Sequence, residues 1–407
     1  MNSPVSIFFD ISLPNTSTWF YFSLILACAL FFKFNRLISF RNFDILSIFF
    51  FMPGLLLLLE GRYDERTCFS WMLISCLFWL IRCLFDLVLE RRPVFKPNLN
   101  VPGMLLLAFA FYFSLLAVAI REPNLPDQRH SRPQTPIDKI REHGEKIIEN
   151  RGGDTLDVST LRLWVERGLT LFCHLLIAIG LVLVCWFHYE DYHLGFASAT
   201  LYFLLPYTYL MMPYTGLKIG RWDHSWLMAL MIWSLVFHKK PIVSGILMGL
   251  SFGSLFFPLV LLPLWLSYYS DKGFWRFVIS SFISFLISGL VFLLAYGGNT
   301  QVLASTWMIS DWIPWKEPLS DTQSFWHGVH WAYRLPVFIL FIILSFSVYF
   351  WPTPKTFGNL IALSAALLIG IQFWYAHLGG VYILWYLPLL ILVIFKPSIA
   401  NQAKQLT

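Results

Sequence analysis

Two groups of residues hold most of the side chains in this chain that could do chemistry. The first is the turn formed by Lys218, Arg221, Trp222, Asp223 and His224. Cations so close together can hold a phosphate through charge-assisted hydrogen bonds, and Asp223 or His224 can accept a proton. The plainer alternative is a helix start, capped by Asp223 and anchored at an interface by its cations. The second group lies in the loop 297–334: Trp307, Trp312, Trp315, Trp326 and Trp331, with Asp311, Asp321, His327 and His330. Aromatic faces beside carboxylates suit a sugar, whose C–H face stacks while its hydroxyls hydrogen-bond. An interfacial tryptophan belt would look similar. His327 and His330 stand three apart, as metal ligands can, but no third ligand lies near them in sequence, so neither a metal nor a cofactor is assigned.

The elements that must position these residues are membrane helices. Of the 407 residues 57% are hydrophobic and 13% charged, whereas a soluble chain is typically about 25% charged. The formal charge of +6 sits mostly beside apolar runs, which is a topology signal and not a nucleic-acid footprint. Motifs for a nucleotide P-loop, zinc protease, serine hydrolase elbow or dinucleotide fold are absent from the sequence. All six cysteines lie in apolar segments and read as small buried residues. Residues 1–17 contain Asp10 and no Lys or Arg, so the first apolar segment is expected to stay as a helix and not to be cleaved as a signal.

A spanning helix needs about 20 apolar residues. The sequence predicts helices near 18–33, 44–60, 68–89, 101–120, 168–188, 194–214, 224–238, 275–296, 335–351, 357–376 and 380–396. The segment from Pro241 to Tyr269 contains Pro258 and Pro263 and has basic residues at both ends, so it is expected to dip in and return. The fold class is therefore an all-α polytopic transmembrane bundle of about 10–12 helices with one re-entrant or broken pair. Three parts are expected: an N-terminal bundle over 1–120, a polar outer insert over 121–167, and a C-terminal bundle over 168–407. Nine basic and nine acidic residues make the insert polar. It reads either as a solvated linker with one surface helix or as a lid over the substrate. Short loops rich in Lys and Arg place the N-terminus outside and the C-terminus in the cytoplasm. Arg82 and Asp86, at i and i+4 inside the third helix, read as intramembrane ion-pair glue or as the lining of a cavity.

The block from Leu194 to Tyr269 carries a further pattern. Pro206 ends one helix and Asp223 follows in a polar turn. Then come Lys240-Pro241, Gly245-Ile246-Leu247-Met248-Gly249, Gly253 and Pro258. Glycines four apart share one helix face and let a neighbouring helix approach closely. The order of these features resembles the GT-C glycosyltransferases that use polyprenyl-phosphate sugars, in particular the bacterial mannosyltransferase-like branch. That resemblance implies an outer-face transfer of a sugar from a polyprenyl phosphate to a lipid or glycan. The family's acid normally lies in its first outer loop; Asp64 and Glu65 occupy an outer loop here, outside any recognisable motif.

Candidate bases are thus Asp223, Asp311 and Asp64. Lys218, Arg221, His224, Trp312, Trp326, His327 and Trp331 are the candidate substrate contacts. The expected partners are membrane lipids and a polyprenyl-phosphate-linked sugar, with no nucleic acid. A secondary transporter or lipid flippase would instead gather polar residues at mid-helix and show repeated halves. A non-catalytic membrane scaffold is a third reading.

Overall fold

The computed structural model describes residues 15–61, 63–89, 96–121, 155–210, 220–254, 257–295, 313–315 and 324–397. Lys218, Asp311 and Trp312 lie outside the described residues, as does the side chain of Asp223. Among the described residues all regular structure is helical. Its helices are α1 (Thr16–Phe31), α2 (Phe40–Ser47), α3 (Phe51–Glu60), α4 (Glu65–Phe85), α5 (Val101–Arg121), α6 (Thr155–His188) and α7 (Tyr192–Leu204). Then follow α8 (Trp222–Val236), α9 (Pro241–Ser254), α10 (Leu262–Tyr268), α11 (Phe274–Ala295), α12 (Arg334–Phe350), α13 (Phe357–Trp374) and α14 (Leu387–Phe395). Seven continuous helical stretches among the described residues are long and apolar enough to cross a membrane, and four shorter apolar stretches accompany them. This is an all-α, polytopic, membrane-embedded bundle.

Burial separates core from periphery. In α13, 83% of the apolar window lies inside the bundle, whereas the windows of α11 and α12 bury 22% each. The exposed side chains of α11, such as Phe282, Leu286 and Leu290, are as apolar as lipid tails, so association here rests on close packing and not on the hydrophobic effect. The α9–α11 pair shows how. A Cβ on Gly245 would lie 2.7 Å from the Phe277 carbonyl oxygen, and one on Gly249 would lie 2.8 Å from Ser284 Cβ. One on Gly253 would lie 2.7 Å from Ser288 Oγ. Glycine faces serine, and the backbones touch.

Prolines interrupt several of the helices. α2 passes through a 3-10 turn, Ile48–Phe50, just before Pro53, whose ring cannot continue regular α geometry. Carbonyls released there are recaptured by side chains: Trp79 Nε1 donates to Ser47, Tyr207 OH to Ile48, and Ser75 Oγ and Trp71 Nε1 to Phe50. α9 ends at Ser254, a 3-10 turn covers Phe257–Leu261, and α10 returns. Tyr269 OH donates to the His238 carbonyl at 2.8 Å, and Pro241 packs beside Gly273. Lys240 and Lys272 are therefore at the same end, and the segment is a broken hairpin as its prolines and basic flanks require.

Two expected helices are shorter than the sequence suggests. In place of 194–214, α7 stops at Leu204, because Leu205 precedes Pro206 and takes φ −63°, ψ 137°. In place of 380–396, the helix begins only at Leu387. Elsewhere α6 begins at Thr155, so its first turns lie in the polar insert.

One end of the bundle collects basic residues. Arg82 bridges Asp44 (2.7 and 2.9 Å) and Asp86 (3.3 Å), and Lys396 closes on Asp86 at 2.9 Å. The Lys396 side chain also lies directly over Gly358, where a Cβ would collide with it. Lys355 donates to Ser267 Oγ, the Tyr349 carbonyl and the Pro352 carbonyl. His238, in the turn after α8, has its ring against His188 and Phe357. Burial, with His188 and the nearby lysines, pushes its imidazole down to about 3, so it is neutral near pH 7.

Candidate functional site

The opposite end is where the sequence places its candidates. Its framework is the long helix α6. Glu166, Thr170 and His174 recur every four residues, so they form a stripe on one face. Each member holds one residue at the start of α8. Glu166 Oε2 pairs with Arg221 Nη2 at 2.9 Å. Thr170 Oγ1 accepts from the Trp222 N–H at 3.2 Å, capping α8 from another helix. His174 Nε2 meets the Gly220 carbonyl at 2.8 Å, which requires its proton there. Nδ1 is then the acceptor for Tyr202 OH, 2.7 Å away. Both groups are fully buried.

One turn further along α8, His224 is also buried. Trp385 Nε1 donates to its Nδ1 at 3.2 Å, so in the neutral ring Nε2 carries the proton and can donate. His224 stacks on Tyr382 at 5.3 Å. Tyr382 in turn stacks on Trp385 at 4.2 Å, and Phe257 covers the other face of Trp385 at 3.9 Å. Rings from the α8 start, the α9–α10 break and the α13–α14 break thus form one column.

The α13–α14 break lies deep in the bundle. α13 rises about 27 Å and α14 only about 14 Å, at 1.5 Å per residue. Their near ends meet at Gly358 and Lys396. Residues 375–386 must therefore cross the remaining half of the bundle without an α-helix, and all of them are buried. Backbone polar groups at that depth need partners inside the protein. Gln372 Oε1 accepts from the Gly380 N–H at 2.9 Å, and His377 Nδ1 lies 3.3 Å from Tyr382 OH. Gly380 takes φ +96° and Leu378 φ +50°, a left-handed conformation that is costly for a branched side chain. Gln372 Nε2 is buried without a hydrogen-bond partner among the described residues.

The other described candidates attach to this break. Trp326 is buried, and its Nε1 donates to the Phe373 carbonyl at 3.0 Å, beside Gln372. His327 is exposed, and its carbonyl accepts from Arg66 Nη2 at 3.4 Å. Asp64 is exposed at the start of α4, two residues from Arg66. Trp331, half-buried, opens an otherwise exposed 3-10 turn. Arg334 reaches back to the carbonyls of Ile313 and Pro314, tethering the fragment that follows Trp312. Asp64, Arg221, His224, Trp326, His327 and Trp331 therefore share one end, joined in a chain through 372–385. Arg221 is held by Glu166 and Trp326 is a buried strut, so each has a structural task besides any substrate contact.

Sequence reasoning missed Glu166, Thr170, Gln372, His377, Tyr382 and Trp385. The four-residue spacing on α6 is a signal that could have been read. Among the described residues no cluster of three or more His, Cys, Asp or Glu side chains could hold a metal. The fold and this site define a polytopic α-helical membrane protein with a polar junction among interrupted helices. Comparison with family models, curated proteins and solved structures finds no match for the chain.

Proposed function

We propose that this chain is a membrane-embedded glycosyltransferase of the GT-C kind, moving a sugar from a polyprenyl phosphate to a lipid or glycan acceptor. The reaction runs at the end opposite the basic one. By the positive-inside rule the basic end is cytoplasmic, which puts the N-terminus outside, the C-terminus inside and the chemistry on the outer face. The observation that carries the reading is the bolting of the turn 220–224 to α6 and to the 375–386 segment. Transfer needs charged groups fixed before substrate arrives, because preorganised dipoles stabilise developing charge at no reorganisation cost.

Lys218 and Arg221 would neutralise the leaving phosphate. Glu166 meets Arg221 through Nη2, and a guanidinium offers five N–H donors. Asp223, Asp311 or Asp64 would accept the acceptor's proton, with His224 Nε2 donating a hydrogen bond. Trp312, Trp331 and His327 would face the sugar, and Trp326 would hold their loop on α13. The partners are membrane lipids and the lipid-linked sugar.

A transporter reading is favoured by one observation: interrupted helices meet a buried Gln372 whose amide nitrogen has no hydrogen-bond partner among the described residues, and interrupted helices mark transporter sites. The two are separated by supplying the protein in proteoliposomes with polyprenyl-phosphate sugars. Release of polyprenyl phosphate is expected, abolished by asparagine at one of the three aspartates. No release from any donor, together with solute counterflow, would replace the transferase by the transporter.

A further inference from the structure

The loop joining α1 to α2, residues 32–39, turns its apolar residues outward. Phe34, Leu37 and Ile38 are exposed, Ile38 completely. Lys33 and Arg36 stand among them, also exposed. Beneath the loop, Asn42 is 1% exposed and commits its whole amide to it. Oδ1 accepts from the Lys33 N–H at 2.8 Å, and Nδ2 donates to the carbonyls of Lys33, Arg36 and Leu37 at 3.1–3.2 Å. Arg41, also buried, adds Nε to the Phe31 carbonyl and Nη2 to the Lys96 carbonyl, both at 2.7 Å. Buried polar groups are costly unless satisfied. Asn42 fixes the loop itself and Arg41 fixes its root at Phe31, so the loop's shape is specified by the fold.

A fixed loop with three large apolar side chains outward is unfavourable in water and favourable at the headgroup–acyl boundary. The patch continues into Phe40 and Phe43, exposed on α2, where Phe43, Phe50 and Phe78 pack edge to face. The exposed charges beside it are Lys33, Arg36 and Lys96, while Asp44 is buried against Arg82.

We infer that the 32–39 loop is a preformed binding site for anionic phospholipid at the basic end of the bundle. Phe34, Leu37 and Ile38 enter the acyl boundary, and Lys33 and Arg36 hold phosphate headgroups, an attraction confined to about a Debye length of the surface. The site is independent of any catalytic role.

The test uses the full chain carrying a nitroxide on Ile38→Cys with Cys28→Ala, since the other five cysteines are buried. It is reconstituted in phosphatidylcholine vesicles with or without phosphatidylglycerol. The label is expected to be shielded from a water-soluble nickel reagent, more deeply when phosphatidylglycerol is present. By native mass spectrometry, K33Q with R36Q should lower phosphatidylglycerol retention on the order of tenfold, the scale of two interfacial cations, with an unchanged thermal midpoint. Should Ile38→Cys fail to fold, a label on Phe34→Cys makes the same measurement. A label equally open to nickel in both membranes, or retention unchanged in the double variant, overturns the proposal.

Discussion

At the basic end the charged side chains answer one another: Asp44, Arg82, Asp86 and Lys396 form a neutral set of two anions and two cations. At the opposite end the polar side chains hold loops and helix starts instead. His174 grips a carbonyl, Thr170 an amide, Gln372 a glycine N–H, and Trp385 reaches His224. The same apolar helices thus end in a lock on one side and in a shaped junction on the other. A closed set of charges has little left to offer a ligand. A junction of broken helices, with a strained Leu378 and an amide nitrogen on Gln372 without a partner among the described residues, is the kind of place where stability is traded for function.

The comparison can be broken most violently at the lock. Arg82→Met leaves Asp44 buried without its bidentate partner and should cost about 3–5 kcal/mol, read as a lower thermal midpoint in detergent. Adding Asp44→Leu should recover part of that loss; no recovery would mean that packing, not charge, is lost. Next comes Gly249→Ala, which drives a Cβ into the Ser281 backbone and Ser284 and should cost about 1–3 kcal/mol through overpacking. At the junction, Thr170→Val removes the cap from Trp222 N–H and should cost about 0.5–2 kcal/mol, a loss seen as faster hydrogen exchange at the start of α8.

The last effect is one of pH. His238 is held down to about 3 in the folded chain, against about 6.5 when unfolded. The unfolded state binds the extra proton between those values, so its share of stability is complete above about pH 6.5 and lost as pH falls toward 3. His238→Gln should flatten that part of the acid-stability curve, measured by thermal shift across the same window.

How much of this was legible follows from sequence distance. The Pro241–Tyr269 hairpin could be read, because Pro258, Pro263 and the flanking lysines are local signals. The Arg82–Asp86 pair could be read from its spacing, whereas Asp44 and Lys396 lie 38 and 310 residues from their partners. The 380–396 run reads as one apolar helix by hydropathy; the helix starts only at Leu387, with Pro388 in its first turn, and the Gly380 N–H is held by Gln372 instead. The shared end of the turn and the tryptophan loop was expected from loop parity. The α6 stripe that fixes the turn was hidden by reading the residues before 168 as linker.

In the proposed reading the chemistry belongs to the junction and stability to the lock. Donor turnover and thermal midpoint, measured together in proteoliposomes for Asp223→Asn, Asp311→Asn, Asp64→Asn and Arg82→Met, put this to the test. One of the three aspartate variants is expected to lose about 10²–10⁴ in rate with its midpoint unchanged, the usual worth of a positioned base. Arg82→Met should lose stability while its folded fraction keeps the wild-type rate. Full turnover in all three aspartate variants, or a rate lost only at Arg82, would contradict the claim.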